Sequence, residues 1–450
     1  MENSAKLAAT TQAGSGGDIQ LQNLSSLQLR NHSEISASTG SGQGGSVSVN
    51  APGGTVALTG NSSIKAEATQ GGNAGSVTID TNQLSLQDNS QVATSSQNGS
   101  GTAGDVNITA RTITLNQGGK ITAQTDAGGS TNPADITLQG LNTLQLSGDS
   151  EISASTHTGQ AGSISINTPD NPAASVTLNN NSRLSVQATQ EGGNAGSITV
   201  NTNSLALRNR SQIIADTKGN QEGANITLQG LDWLILRNGS RISANAGETA
   251  NGGNIKIGAN FIIAVPKENS DITANAFKGR GGNIDITTQG MFGIKFRPKL
   301  TPLSDITASS ESGLTGTVAI SNPNVDPSQG LTALPIDLID PSNQISRSCG
   351  ASANRQNQFV VTGRGGLPPS PNDLQTSGAI TPGWVTREGT RTSRAAASVE
   401  PPTSTTATPG VEAQVMVLST QGNLILSPPS ASATPHPSEF PDILCTLTKN

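Results

Sequence analysis

Aliphatic residues alternate with polar ones in short bursts through the first 320 positions, and the bursts recur at a near-constant interval. One phrase returns about every 29 residues: Ser-Glu-Ile35-Ser-Ala37, Ser-Ser-Ile64-Lys-Ala66, Gly-Lys-Ile121-Thr-Ala123, Ser-Glu-Ile152-Ser-Ala154, Ser-Gln-Ile213-Ile-Ala215 and Ser-Arg-Ile242-Ser-Ala244, with Val92, Leu184, Ile272 and Ile306 in the same place. A fixed period of this size predicts a stacked array, because each unit leaves an apolar face that only its neighbours can cover.

Two further segments turn the repeat into a rung. A Gly-flanked alternating stretch precedes most phrases, as in Gly45-Ser-Val47, Gly75-Ser-Val77, Gly104-Asp-Val106, Gly196-Ser-Ile198 and Gly282-Asn-Ile284. Between stretch and phrase lies an apolar pair such as Leu27/Leu29, Val56/Leu58, Leu144/Leu146 or Leu234/Leu236. Each unit thus offers three short strands with period-two alternation, one side chain in and the next out. From the second residue of the pair to the phrase's aliphatic residue the separation is always six, as from Leu29 to Ile35 and from Leu236 to Ile242, which marks a fixed corner.

That corner carries Asn31, Gly60, Asp88, Gln117, Gly148, Asn180, Asn209 or Asn238, then two places later Ser33, Ser62, Ser90, Ser150, Ser182, Ser211 or Ser240. Asn, Asp and Gly tolerate left-handed backbone, and short polar side chains suit a tight turn. The other corners vary in length, most clearly from Ile164 to Val176 around Pro169 and Pro172, and variable corners are where function would be grafted.

No window carries a helical apolar stripe, and 52 glycines argue against helix throughout. The predicted fold is all-β: a right-handed parallel β-helix, a solenoid of three strands per rung and about ten to eleven rungs over residues 1–320. At about 4.8 Å per rung the rod is on the order of 50 Å long. Leu7 stands 28 residues before Ile35, so the chain opens mid-rung, which suggests the C-terminal piece of a longer protein. Residues 321–450 are different material. Sixteen of the 23 prolines fall there, and Ala395 to Pro409 reads as extended linker. Gln358 to Leu367 is a candidate strand, Val415 to Leu418 and Asn423 to Leu426 a candidate hairpin, and together they are a candidate cap.

Composition narrows the chemistry. Net charge is −6 and Lys and Arg are scattered singly, so no nucleic-acid surface is expected. No stretch reaches transmembrane length, and Met1 to Gly17 lacks the basic and apolar regions of a signal peptide. Cys349 and Cys445 lie outside the repeats; they could pair as a disulfide in an oxidising compartment or remain two free thiols. Glu34, Glu151, Asp271 and Asp305 share the position before the phrase's Ile with Lys120, Arg183 and Arg241, the mark of an outward, solvated column rather than a catalytic cluster. His32 and His157 sit four rungs apart, too far for one metal, and with His436 complete the histidines. Gly16-Gly17-Asp18 and Gly104-Asp105 lack the nonapeptide repeat of calcium-binding β-rolls. No catalytic residue, cofactor site or metal site is assigned. Trp233 is expected to pack against a neighbouring loop, and Phe261, Phe277, Phe292 and Phe296 to thicken a C-terminal cap.

Gly71-Gly-Asn-Ala-Gly-Ser-Val-Thr78, its counterpart Gly192 to Thr199, the Ser-x-Ile-x-Ala phrases and the closing runs Asp337 to Cys349 and Phe359 to Pro371 resemble the C-terminal part of filamentous-haemagglutinin-like large exoproteins of cyanobacteria. The resemblance implies a two-partner-secretion passenger, exported through a dedicated outer-membrane barrel and displayed outside the cell or at its surface, in contact with a surface, matrix or glycan ligand. It implies a non-enzymatic structural or adhesin-type protein. A carbohydrate-active β-helix enzyme, or the non-functional remnant of a truncated gene, are the alternatives.

Overall fold

The structure is a computed structural model and describes residues 1–99, 101–126, 133–190, 193–218, 223–321, 415–418 and 424–427. The chain divides into two compact units, Met1–Ile339 and Asp340–Asn450. In the second, Val415–Leu418 pairs antiparallel with Leu424–Ser427, the hairpin expected from the sequence. Cys349, Cys445, His436 and the candidate strand from Gln358 lie outside the described residues.

The first unit is a parallel β-solenoid. Eleven strands, from Lys6–Thr11 to Asp305–Thr307, stack in chain order into one sheet, and Lys295–Phe296 adds a final strand beyond them. Every phrase meets the next in register: Leu7 with Ile35, Ile35 with Ile64, Ile121 with Ile152, Ile242 with Ile272 and Ile272 with Ile306. From Ile35 to Ile306 this column is fully buried, because period-two alternation turns the aliphatic side chain inward at each rung while its neighbours alternate in and out. Stacking therefore makes one continuous apolar core from a chain that is only 32% hydrophobic.

The Gly-flanked and middle segments form a second sheet of 15 strands. Their separation into two strands holds in some rungs, such as Ile164–Ile166 and Ser175–Asn179, and is lost in others. Val47–Thr59, Val77–Leu86, Val106–Asn116, Ile226–Leu236, Ile255–Ala264 and Asn283–Phe292 run through both segments. The corner is then a bend within one strand, with the register slipping between Ala51 and Thr55 and between Leu228 and Leu231. Two rungs without the glycine signature complete the stack: Ile136 and Ile226 occupy the column of Val106 and Ile164 behind Ala134 and Ala224.

The fixed corner forms as its composition predicts. Asn31, Gly60, Asp88, Gln117, Gly148, Asn180, Asn209 and Asn238 all have φ between 49° and 65°, and the residue after each is left-handed as well. The serine two places on is buried. Its hydroxyl donates to the carbonyl three residues back, from Ser33 to Arg30 at 2.7 Å, Ser62 to Thr59 at 2.8 Å and Ser182 to Asn179 at 2.8 Å. Ser62 and Ser90 also accept the peptide N–H of the serine in the preceding rung. The Ser211 and Ser270 hydroxyls have no partner among the described residues. The long corner after Ile166 is held from inside: Asn167 donates to and accepts from the backbone of Leu141, so the insertion around Pro169 stays anchored.

Candidate functional site

Many outward polar residues hold one rung to the next. At the start of the Gly-flanked strand, Asp18 accepts the N–H of Ser46 at 2.8 Å, Ser46 that of Ser76 at 3.1 Å, Asp105 that of Asp135 at 2.9 Å and Asp135 that of Ser163 at 2.7 Å. A side-chain oxygen placed there reaches the next rung's amide, so the column tolerates Asp, Ser and Asn alike. The repeat Gly-Ser or Gly-Asp was visible in the sequence; its role as a hydrogen-bond ladder was not, because it exists only between residues some 28 to 30 apart.

The column before the phrase's Ile behaves as expected in the early rungs. Glu34 lies between Lys6 at 3.2 Å and Lys65 at 3.6 Å, and Glu151 meets Arg183 at 2.9 Å. Partial burial would raise the Glu34 carboxyl, but Lys65 and Lys6 outweigh it and hold the group below its ordinary range. In the last rungs the expectation of a solvated column fails. Asp271 and Asp305 are buried, because the chain from Phe292 to Ser304 folds over the end of the sheet and covers them. Asp305 accepts the Arg297 guanidinium, the Thr301 hydroxyl at 2.8 Å and the Thr301 N–H, while its own N–H donates to Asp271 at 3.0 Å. Burial drives the Asp271 carboxyl upward; the Asp305 amide and Arg241 oppose it, and the Asp305 charge adds to it. With every oxygen of Asp305 engaged in folding the loop, the pair is a structural latch.

His157 faces Asp126 at 3.1 Å on a half-exposed surface, and His32 occupies a left-handed corner position. No group of three or more His, Cys, Asp or Glu side chains is arranged to hold a metal ion among the described residues. No helix among them is long and apolar enough to cross a membrane.

The bend within the last three long strands stands apart. An open groove of about 730 Å³ lies at it, with Gly230, Gly258 and Thr287 in its lining. Asp232, Asn260 and Gln289 line one side as a ladder: Asn260 donates to Asp232 at 3.0 Å and Gln289 to Asn260 at 3.2 Å. Beside them Trp233 stacks on Phe261, ring centroids 5.0 Å apart and 24° from parallel, and Phe261 on Phe292 at 6.5 Å and 28°. Phe292 is two residues out of register with Phe261, whose partner is Gly290; the missing side chain leaves room for the Phe292 ring to lean back over that position. Trp233 is 45% and Phe292 56% exposed, so Trp233 packs on rings of its own stack rather than beneath a loop. The phenylalanines do not form a single cap either. Phe277 lies at another corner under Lys278, and Phe296 on the covering strand.

In comparisons with known proteins, no family model, no curated protein and no solved structure matched the chain.

Proposed function

We propose that the chain is a non-enzymatic structural or adhesive β-solenoid, part of a secreted exoprotein, displaying its corners for contact with a surface, matrix or glycan. In this reading a longer relative is exported through a partner outer-membrane barrel and the solenoid stands outside the cell. The supporting observation is the contrast between its exterior columns. Asp18, Asp105, Asp135 and Glu151 are engaged in rung-to-rung bonds and ion pairs, whereas the Trp233 stack is left open to solvent. Rigid scaffolding with one exposed aromatic face suits contact better than turnover, since acid–base cleavage of a glycan ordinarily needs a pair of carboxyl groups and Asp232 stands alone in the groove beside the stack among the described residues.

The test is to coat beads with the full chain and score attachment to cells and to extracted extracellular matrix, while assaying the same protein for reducing-end release from a polysaccharide panel. Attachment without release is expected. Sustained release abolished by substitution of one carboxylate would establish an enzyme instead.

A further inference from the structure

We propose that the Trp233 corner docks a neutral polysaccharide, one sugar ring lying on the indole face turned toward Ser204 and its hydroxyls meeting the indole N–H and the free carboxylate oxygen of Asp232. This rests on the adhesive reading and supplies its ligand class. The register places Ser204 directly before Trp233 and Phe261 directly after it. One face of the indole is therefore covered by Phe261, and the other overhangs a small hydroxylated residue, making a step as wide as the ring. The C–H face of a pyranose is apolar and weakly positive, and it complements the negative face of an aromatic ring.

A sugar also brings hydroxyls that must be met, and the adjoining atoms are free to meet them. The indole Nε1 has no hydrogen-bond partner among the described residues, and the second oxygen of Asp232, in the same rung, accepts none there. The charge pattern selects among polymers. Among the described residues Asp232 is the only charged one lining the groove, and the chain carries −6 overall, which disfavours nucleic acids and polyanionic glycans and leaves neutral chains.

The experiment uses the full chain with Trp384→Phe, which leaves Trp233 as the only tryptophan. Its emission is followed while cello-, xylo-, manno- and chito-oligosaccharides are added, and retardation is measured in gels containing the matching neutral polymers. At least one series is expected to shift and saturate the emission. In chains that keep Trp384, Trp233→Ser should weaken retardation about tenfold, the loss of one aromatic contact, with an unchanged β spectrum; Asp232→Ala should weaken it less. The proposal is overturned if no neutral glycan moves the Trp233 emission, if Trp233→Ser binds as well as the parent, or if the emission follows protein concentration together with dimer formation in sedimentation. Bead attachment that persists without glycan binding would remove this inference and leave the adhesive reading standing. Glycan binding without any bead attachment would do the reverse.

Discussion

The peptide N–H of Asn245 donates to the carboxylate of Asp216, one rung before it, at 2.7 Å, and the same oxygen accepts the Ser243 hydroxyl at 2.5 Å. In the following rungs this column uses neutral acceptors: Asn245 takes the N–H of Asn275 and Asn275 that of Ser309. Asp216 brings a charge to a place where only an acceptor oxygen is needed. Burial pushes its carboxyl above the ordinary range despite the Ser243 and Asn245 bonds and the more distant Arg241.

Asp216→Asn keeps the acceptor and removes the charge, so the variant should melt a few degrees higher than the parent at pH 7. The sign follows from linkage. With a raised folded value, the native state holds its proton to higher pH than the unfolded chain, and the parent loses stability as pH rises from the ordinary Asp range through that value. The difference between variant and parent should be small in acid, grow across that interval and then stay level. Thermal melts of both proteins from pH 3 to 8 check it, and a parent more stable at pH 7 would refute it.

The buried serine corner carries a double load at Ser62, which donates to Thr59 and accepts from the Ser33 amide at 3.2 Å. Ser62→Ala leaves both backbone groups without their partner and should cost about 1–3 kcal/mol. Ser211→Ala should cost less than Ser62→Ala, because its hydroxyl has no partner to lose. Urea melts of the two variants give the comparison.

A Cβ at position 282 would lie 1.9 Å from the carbonyl oxygen of Gly253, the equivalent residue one rung before. Gly282→Ala should therefore destabilise by about 1–3 kcal/mol as the rungs are forced apart. Ala224 occupies the same column and already carries a methyl group there, so Ala224→Gly should cost under about 1 kcal/mol, mainly through backbone entropy. Equal effects in denaturant melts would count against this assignment.

The latch at the end of the first sheet depends on Arg297. Arg297→Ala leaves the Asp305 carboxylate buried with only Thr301 to oppose it, and should cost about 3 kcal/mol. Because the covering loop is the element held, proteolysis between Phe292 and Ser304 should accelerate before the rest of the solenoid melts. Double substitution with Asp305→Asn should recover part of the loss, since no charge then remains buried.

Much of the solenoid was legible in the residues because its rules are local and repeated. Ile35, Ile64 and Ile121 announced an inward column through period-two alternation. The constant six-residue interval, with Asn31 or Asn238 and then Ser33 or Ser240, announced a corner that needs left-handed backbone and a hydroxyl. In two rungs whose middle pair and phrase were legible, the first strand, at Ile136 and Ile226, was not, because Ala134 and Ala224 replace the glycine that marks it elsewhere; pairing with the flanking rungs reveals it.

The sequence by itself determined the rung, since alternation, turn chemistry and period act within about 30 residues and leave one way to bury the aliphatic side chains. What required the tertiary structure was the fate of residues whose surroundings come from other rungs or from a loop folding back. Glu34 and Asp305 stand at the same repeat position, yet one is a surface ion pair and the other is sealed under Arg297. Trp233 and Phe292 lie 59 residues apart in sequence and become two ends of one aromatic face only because stacking brings their rungs together and Gly290 leaves the space. Burial and stacking are properties of neighbours in space, and a periodic chain specifies those neighbours only where its period is kept.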